Sequence, residues 1–196
     1  EMESDGNIAY KVTLVAREDA SVEDVALRTH LASGVGRYMM GLGEKGGYCP
    51  NDLRWKWDVE KNQDAVWVGD VNAGIQIRLY DNKYERPLNT NFYHQKPLHM
   101  PVSWCNAGNG GIDIHNAADG TRINAYSGKR SVKKGDRLYY YFNLALTPFR
   151  PIDTDKQWRE RYHHNYEFLD GIQKRGANVI NIHHANAINP FINYPF

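Results

Sequence analysis

Residues 137–153, "RLYYYFNLALTPFRPID", mark the place where the chain changes architecture. Every second side chain from Leu138 to Leu146 is apolar or aromatic, which is the pattern of a strand with one buried face. Pro148 and Pro151 then prevent a central strand or a helix from continuing. We therefore predict that a β domain ends here and that a different architecture follows.

The residues before this point repeat the same alternation in short segments separated by turns. It is clearest in residues 7–16 and 24–32, and Asp119-Gly120 is a strong hairpin signal. About ten such strands at this spacing predict an antiparallel β-sandwich over residues 1–148. The glycine-rich stretches "GEKGG" (43–47) and "NAGNGG" (106–111) lack the pattern of a phosphate-binding loop and are predicted to be turns.

The residues after the prolines predict a linker, one helix and one strand. Residues 149–155 form the linker, and Asp153 or Thr154 can cap a helix that runs to Gly176. The apolar run Val179–Ile182 then predicts a buried strand. A helix followed by a strand, after an all-β domain, indicates a second architecture over residues 156–196.

The composition and motifs of the chain give no support to several classes of function. The net charge of +1 gives no support to nucleic-acid binding, and no apolar run is long enough to span a bilayer. The histidines lack the H-E-x-x-H spacing of a zinc site, so neither a metal nor another cofactor is predicted. Cys49 and Cys105 can pair or stay free, and their number does not decide between the two. The many tyrosines and tryptophans suit an antiparallel β protein and also suit sugar binding.

Three segments resemble glycoside hydrolase family 123. Residues 53–81, "LRWKWDVEKNQDAVWVGDVNAGIQIRLYD", are similar to a Trp-rich W-x-G-D segment in the N-terminal domain of such proteins. Residues 139–153, "YYYFNLALTPFRPID", resemble the strand that leaves that domain, and residues 161–184 resemble the start of the catalytic barrel. The resemblance implies that residues 156–196 are the helix and first strand of a truncated (β/α)₈ barrel. The chain then looks like an N-terminal piece of a larger hydrolase.

The resemblance also implies a chemistry for the parent enzyme. Members act as retaining β-N-acetylgalactosaminidases, in which the substrate's own acetamide attacks the anomeric carbon with help from an adjacent Asp-Glu pair. No Asp is followed directly by Glu in this chain, so we assign no catalytic residue and expect the chain alone to be inactive. The implied partners are a glycan, for example one containing N-acetylgalactosamine, and the remainder of the barrel. The implied location is secreted or periplasmic.

Five residues are candidates for substrate binding. His183, His184 and Asn186 follow the predicted barrel strand, and the carboxyl end of such strands forms the active-site face. Only one of the adjacent histidines can face the barrel axis, and the alternative is packing between strand and helix layers. Trp55 and Trp57 share one strand face and can form a sugar-stacking platform, with Trp67 on the neighbouring strand. Packing in the core or at a domain interface is their alternative.

Two other functions remain open from the sequence. A stand-alone carbohydrate-binding module predicts glycan affinity with Trp55 or Trp57 exposed. A purely structural domain predicts buried tryptophans and no affinity. Our main expectation is the non-catalytic β-sandwich portion of a glycoside hydrolase, which supports the barrel and can contact glycan.

Overall fold

The described strands of the protein belong to two separate units. The computed structural model describes residues 5–57, 65–83, 99–150, 153–160, 162–163, 174, 176 and 178–180. The first unit comprises Glu1–Pro151 and the second comprises Ile152–Phe196. The first unit ends close to the predicted end of the sandwich at residue 148, while the linker limits of 149–155 stay a prediction.

Alternating apolar residues form the strands of the first unit, as the sequence pattern indicates. The strands are β1 Asn7–Val15, β2 Ala20–Val22, β3 Ala26–Ala32, β4 Tyr38–Gly41, β5 Glu44–Tyr48, β6 Asp52–Lys56, β7 Ala65–Asp70, β8 Ala73–Tyr80, β9 Gly111–Ala117, β10 Gly120–Tyr126, β11 Arg130–Val132 and β12 Arg137–Thr147. One short helix, α1 (Val102–Cys105), and a 3₁₀ turn (Asn106–Gly108) lie between β8 and β9.

Two antiparallel sheets make up most of this unit. The six-stranded sheet has the order β1-β12-β8-β7-β4-β5, and the four-stranded sheet has the order β3-β10-β9-β6. β2 and β11 form a separate antiparallel pair. The mainly β, antiparallel fold predicted from the sequence is confirmed.

The two sheets share one hydrophobic core. Buried side chains of the six-stranded sheet, such as Val68 and Ile77, belong to the same cluster as Ile112, Ile114 and Ile123 of the four-stranded sheet. Each of these five residues is at most 1% exposed. Burying a side chain of this size contributes about 1.5–3 kcal/mol, so this shared core holds the sheets together.

Two local details of the first unit bear on points that the sequence analysis raised. β9 and β10 form the hairpin expected through Asp119-Gly120, where Gly120 has a φ of +135°. Cys49 and Cys105 are free, which answers the question of pairing that the sequence left open.

Two local predictions are wrong. Residues 44–48, which include most of "GEKGG", form strand β5 rather than a turn; the reversal occurs just before it, where Leu42 and Gly43 have positive φ. Residues 53–70 do not form a pair of neighbouring strands, because β6 pairs with β9 while β7 pairs with β4 and β8. The chain crosses between the sheets here, and side-chain alternation carries no information about such a crossing.

Among its described residues, the second unit contains one short helix, two short strands and a further helical residue, Lys174. Helix α2 (Thr154–Arg159) begins at Asp153, whose carboxylate accepts a hydrogen bond from Lys156 N at 2.8 Å. Asp153 is therefore the cap, of the two candidates. Strand β13 (Tyr162–His163) pairs in parallel with strand β14 (Val179–Ile180).

The predicted helix to Gly176 is not continuous, although Lys174 is again helical. The backbone of Glu160 is extended (φ −73°, ψ 131°), so α2 ends at Arg159, and His163 lies in a strand. Gly176 does have the left-handed conformation expected there, with φ +74°. The strand that pairs in parallel with β14 is therefore β13, which comes before it in the chain.

Candidate functional site

The predicted tryptophan platform lies in and against the core. Trp55 is 4% exposed and packs edge-on against Trp57, with ring centroids 5.0 Å apart. Trp57 is partly buried against the same cluster. The indole nitrogens of both are buried and have no hydrogen-bond partner among the described residues. This arrangement matches the core-packing alternative, and a substrate-binding role for the two residues stays a prediction.

The other three candidates cannot be placed. His183, His184 and Asn186 lie outside the described residues. Their role at the end of a barrel strand stays a prediction.

Trp67 has a different environment from the other two tryptophans. Its strand, β7, belongs to the six-stranded sheet, so it is not on a strand next to Trp55, as the sequence had suggested. The indole Nε1 donates a hydrogen bond to Thr147 Oγ1 at 2.8 Å. A Cβ atom added at Gly69 or Gly74 would come within 2.7–2.9 Å of the indole. The ring therefore lies against these two glycines, which explains the glycines of the W-x-G-D segment.

Tyr38, Met40, Tyr48 and Trp67 together form what we call the aromatic surface. Tyr48 is opposite Tyr38 in the β4–β5 register, and Met40 is opposite Trp67 in the β4–β7 register. Opposite residues in a pair of strands project to the same side of the sheet. Met39, between Tyr38 and Met40, is buried in the core, so the aromatic surface faces away from the core.

The aromatic surface includes the most exposed large apolar side chain among the described residues. Tyr48 is 75% exposed and Met40 is 55% exposed. The rings of Tyr38 and Tyr48 stack with centroids 5.3 Å apart. The guanidinium of Arg37 lies over both rings, 5.2 Å from the centroid of Tyr38 and 6.0 Å from that of Tyr48. Electrostatic interaction with Tyr38, followed by a hydrogen bond with Tyr48, raises the pKa of Arg37.

Sequence reasoning missed the aromatic surface. Its residues are spread over "RYMMG", "GGYC" and "AVWVGD", and the sequence does not show that these stretches share one face of a sheet. Only the pairing of β4 with both β5 and β7 brings them together. The local signal in the sequence that could have indicated this surface is that Tyr48 directly follows two glycines.

A shallow groove of about 490 Å³ lies at the end of the β6–β9 pair. It is lined by residues 51–52 and 115–118, and His115 Nδ1 lies 2.7 Å from Asp52 Oδ1. Both side chains are more than half exposed. The lining contains no hydroxyl or thiol group that the His-Asp pair could activate. The groove therefore lacks the nucleophile–base arrangement of a triad.

Asp81 is the one buried carboxylate among the described residues, at 4% exposed. Its Oδ1 accepts a hydrogen bond from Lys83 N at 2.9 Å, and its Oδ2 accepts one from Val102 N at 3.0 Å. His99 Nε2 lies 2.8 Å and 3.0 Å from the two oxygens. Both oxygens are thus occupied by partners of this chain, and Asp81 joins the end of β8 to the start of α1.

The described residues also bear on metal binding and on membrane spanning. In the part of the chain that the structure describes, no group of three or more His, Cys, Asp or Glu side chains is arranged to hold a metal ion. None of the helices described is both long and apolar enough to cross a membrane.

Comparison with protein families gives two matches that together span most of the chain. Residues 1–148 match the model described as glycoside hydrolase 123, third domain. Residues 153–196 match the model described as glycoside hydrolase 123, TIM-barrel domain. No curated protein and no solved structure matches the chain.

Proposed function

Because the chain belongs to glycoside hydrolase family 123, we propose that its β-sandwich is the non-catalytic companion of a barrel that hydrolyses β-linked N-acetylhexosaminides. The sandwich supports the barrel and contributes contacts to glycan. The match of residues 153–196 to the barrel model favours this proposal over a stand-alone binding module. A complete barrel takes about 250 residues, so the matched segment corresponds to a part of one.

The state of Asp81 carries the non-catalytic role. Glycoside hydrolysis needs a carboxyl group that can give or take a proton at the glycosidic bond or its acetamide. A buried carboxylate is the usual candidate, because burial adjusts its proton affinity for that task. Asp81 instead has both oxygens occupied by Lys83 N, Val102 N and His99. These contacts support a structural role for Asp81, and the chain has no Asp followed directly by Glu to supply the catalytic pair.

The test compares two proteins on 4-nitrophenyl N-acetyl-β-D-galactosaminide and its glucosamine analogue. We expect no release of nitrophenol by this chain, and release by a longer product in which a complete barrel follows the sandwich. Hydrolysis by residues 1–196 alone would refute the non-catalytic role. A long product that cleaves neither substrate would refute the proposed substrate class.

A location outside the cytoplasm, secreted or periplasmic, is a further part of the proposal and is supported by family resemblance. Fractionation of the source cells, with antibody detection of the protein, tests it. Recovery of the protein from the cytoplasmic fraction would contradict this part of the proposal and leave the rest unaffected.

A further inference from the structure

We propose that the aromatic surface binds a pyranose ring of a neutral glycan, through stacking on Tyr48 and its neighbours Tyr38, Met40 and Trp67. The inference builds on the proposed glycan contact of the sandwich and locates it on the outer face of the six-stranded sheet. It does not depend on the proposed catalysis.

The side chains of this surface match the two kinds of group on a sugar ring. A pyranose presents C–H bonds on its face and hydroxyl groups around its rim. The rings of Tyr38 and Tyr48 stack on each other, and Tyr48, at 75% exposed, keeps most of its ring and its hydroxyl tip open to a ligand. Arg37, held over the same two rings, supplies N–H donors beside them.

The indole of Trp67 is held in place without any ligand. Thr147 Oγ1 accepts its N–H, and Gly69 and Gly74 allow the ring to lie against the sheet. A residue that is already fixed loses little conformational freedom when a ligand stacks on it. Such preorganisation favours binding.

Gly46 of β5 is a second and independent observation. It has no positive φ, so the backbone conformation does not require glycine there. A Cβ atom at Gly46 would make only an ordinary contact, 3.5 Å from Met40 Cβ. Packing within the chain does not require glycine either. Glycine weakens a strand, and it often marks a place where a ligand approaches the backbone closely.

The experiment is a titration of this chain with methyl N-acetyl-β-D-galactosaminide, followed through the indole N–H signal of Trp67 by NMR. We expect saturable shifts of this signal. Tyr48→Ala should weaken binding about tenfold, which is about 1.4 kcal/mol, because the sugar loses the ring on which it stacks. Gly46→Val should weaken binding as well, because its side chain fills the open space beside Met40 while the fold is retained.

Tyr10→Ala is the matched control. Tyr10 is 43% exposed and lies on β1, at the opposite edge of the same sheet from β5. Its replacement should leave the affinity unchanged. The proposal is overturned if the Trp67 signal does not move in the folded protein, or if Tyr48→Ala and Gly46→Val bind as the unmodified chain does.

The competing occupant of this surface is a protein partner, such as a second copy of the chain. Sedimentation distinguishes the two: a dimer that Tyr48→Ala dissociates, with no sugar response, would assign the surface to protein and overturn the proposal. The test of sugar binding and the test of hydrolysis can fail independently of each other. Loss of activity in the long product with intact sugar binding would leave this inference standing, and the reverse would leave the proposed function standing.

Discussion

Contacts of single residues explain why the Trp-rich segment contains its glycines. Trp67 needs glycine at 69 and 74 because its indole lies where their side chains would be, and it needs a hydroxyl at Thr147 to accept its N–H. Thr147 is 80 positions away in the sequence. The motif was visible as a pattern of letters, but its cause is a contact between strands β7, β8 and β12.

Thr147→Val should destabilise the sandwich by about 1–3 kcal/mol. Valine has nearly the same shape but cannot accept a hydrogen bond, so the partly buried indole N–H of Trp67 loses its partner. Urea unfolding measures the change in the free energy of unfolding. Thr147→Ser keeps the hydroxyl and should retain most of the stability, and equal losses in the two variants would contradict the role of this bond.

Stability should fall at alkaline pH because of two buried acids, Cys49 and Tyr80. Burial raises the pKa of the Cys49 thiol above its usual 9.0, and burial, together with Tyr141, raises the pKa of the Tyr80 phenol above its usual 10.0. The unfolded chain therefore releases these protons at a lower pH than the folded chain does. Their contribution is fully present below about pH 9 and is lost as pH rises through the folded-state pKa values.

Unfolding of Cys49→Ala and of the unmodified chain in urea at about pH 8 and about pH 10.5 tests this expectation. The unmodified chain should lose more stability between the two values than the variant does. An identical loss in both proteins would show that Cys49 does not contribute.

At the level of elements, the alternation of side chains predicted the strands well but not their partners. It correctly placed Leu138 to Leu146 on one strand, whereas Trp57 lies just past the end of β6 and packs with Trp55 against the same core. It could not show that β6 and β7 belong to different sheets, or that the face of Trp55 is the buried one. Period-two patterns depend on neighbours along the chain, whereas pairing depends on residues far apart in sequence.

The end of helix α2 was missed for a similar reason. Residues 155–176 carry apolar side chains at helical spacing, yet the chain becomes extended at Glu160 and forms β13. The partner of β13 is β14, which comes later in the sequence. A tertiary contact of this kind overrides local helical preference.

Asp81 joins two elements, and its removal should be costly. Asp81→Ala leaves the N–H groups of Lys83 and Val102 without their acceptor, and we expect a loss of about 2–4 kcal/mol. Asp119→Ala is the matched control, since Asp119 is exposed and pairs only with exposed Arg122 on the surface. Such a pair is worth less than about 1 kcal/mol. Equal midpoints for the two variants in thermal unfolding would contradict the structural role of Asp81.

At the level of the whole molecule, the division into two units has a direct consequence. Among the residues that the structure describes, every member of the hydrophobic core belongs to Glu1–Pro151. A protein of residues 1–151 should therefore fold alone and unfold cooperatively, with the same thermal midpoint as the sandwich transition in the full chain. Calorimetry checks this expectation, and a truncated protein without a cooperative transition would show that residues 152–196 are needed for the sandwich.

The first and last strands of the sandwich are direct neighbours, with Asn7 opposite Ala145 and Val15 opposite Arg137. Both connections to the rest of a longer chain would thus leave from the same corner, beside the Asn7–Ala145 pair. A force that pulls the two ends apart acts across the hydrogen bonds between β1 and β12, which lie perpendicular to the strands. These hydrogen bonds would then break one after another and not all at once. The sandwich should therefore unfold under low mechanical tension despite its continuous core.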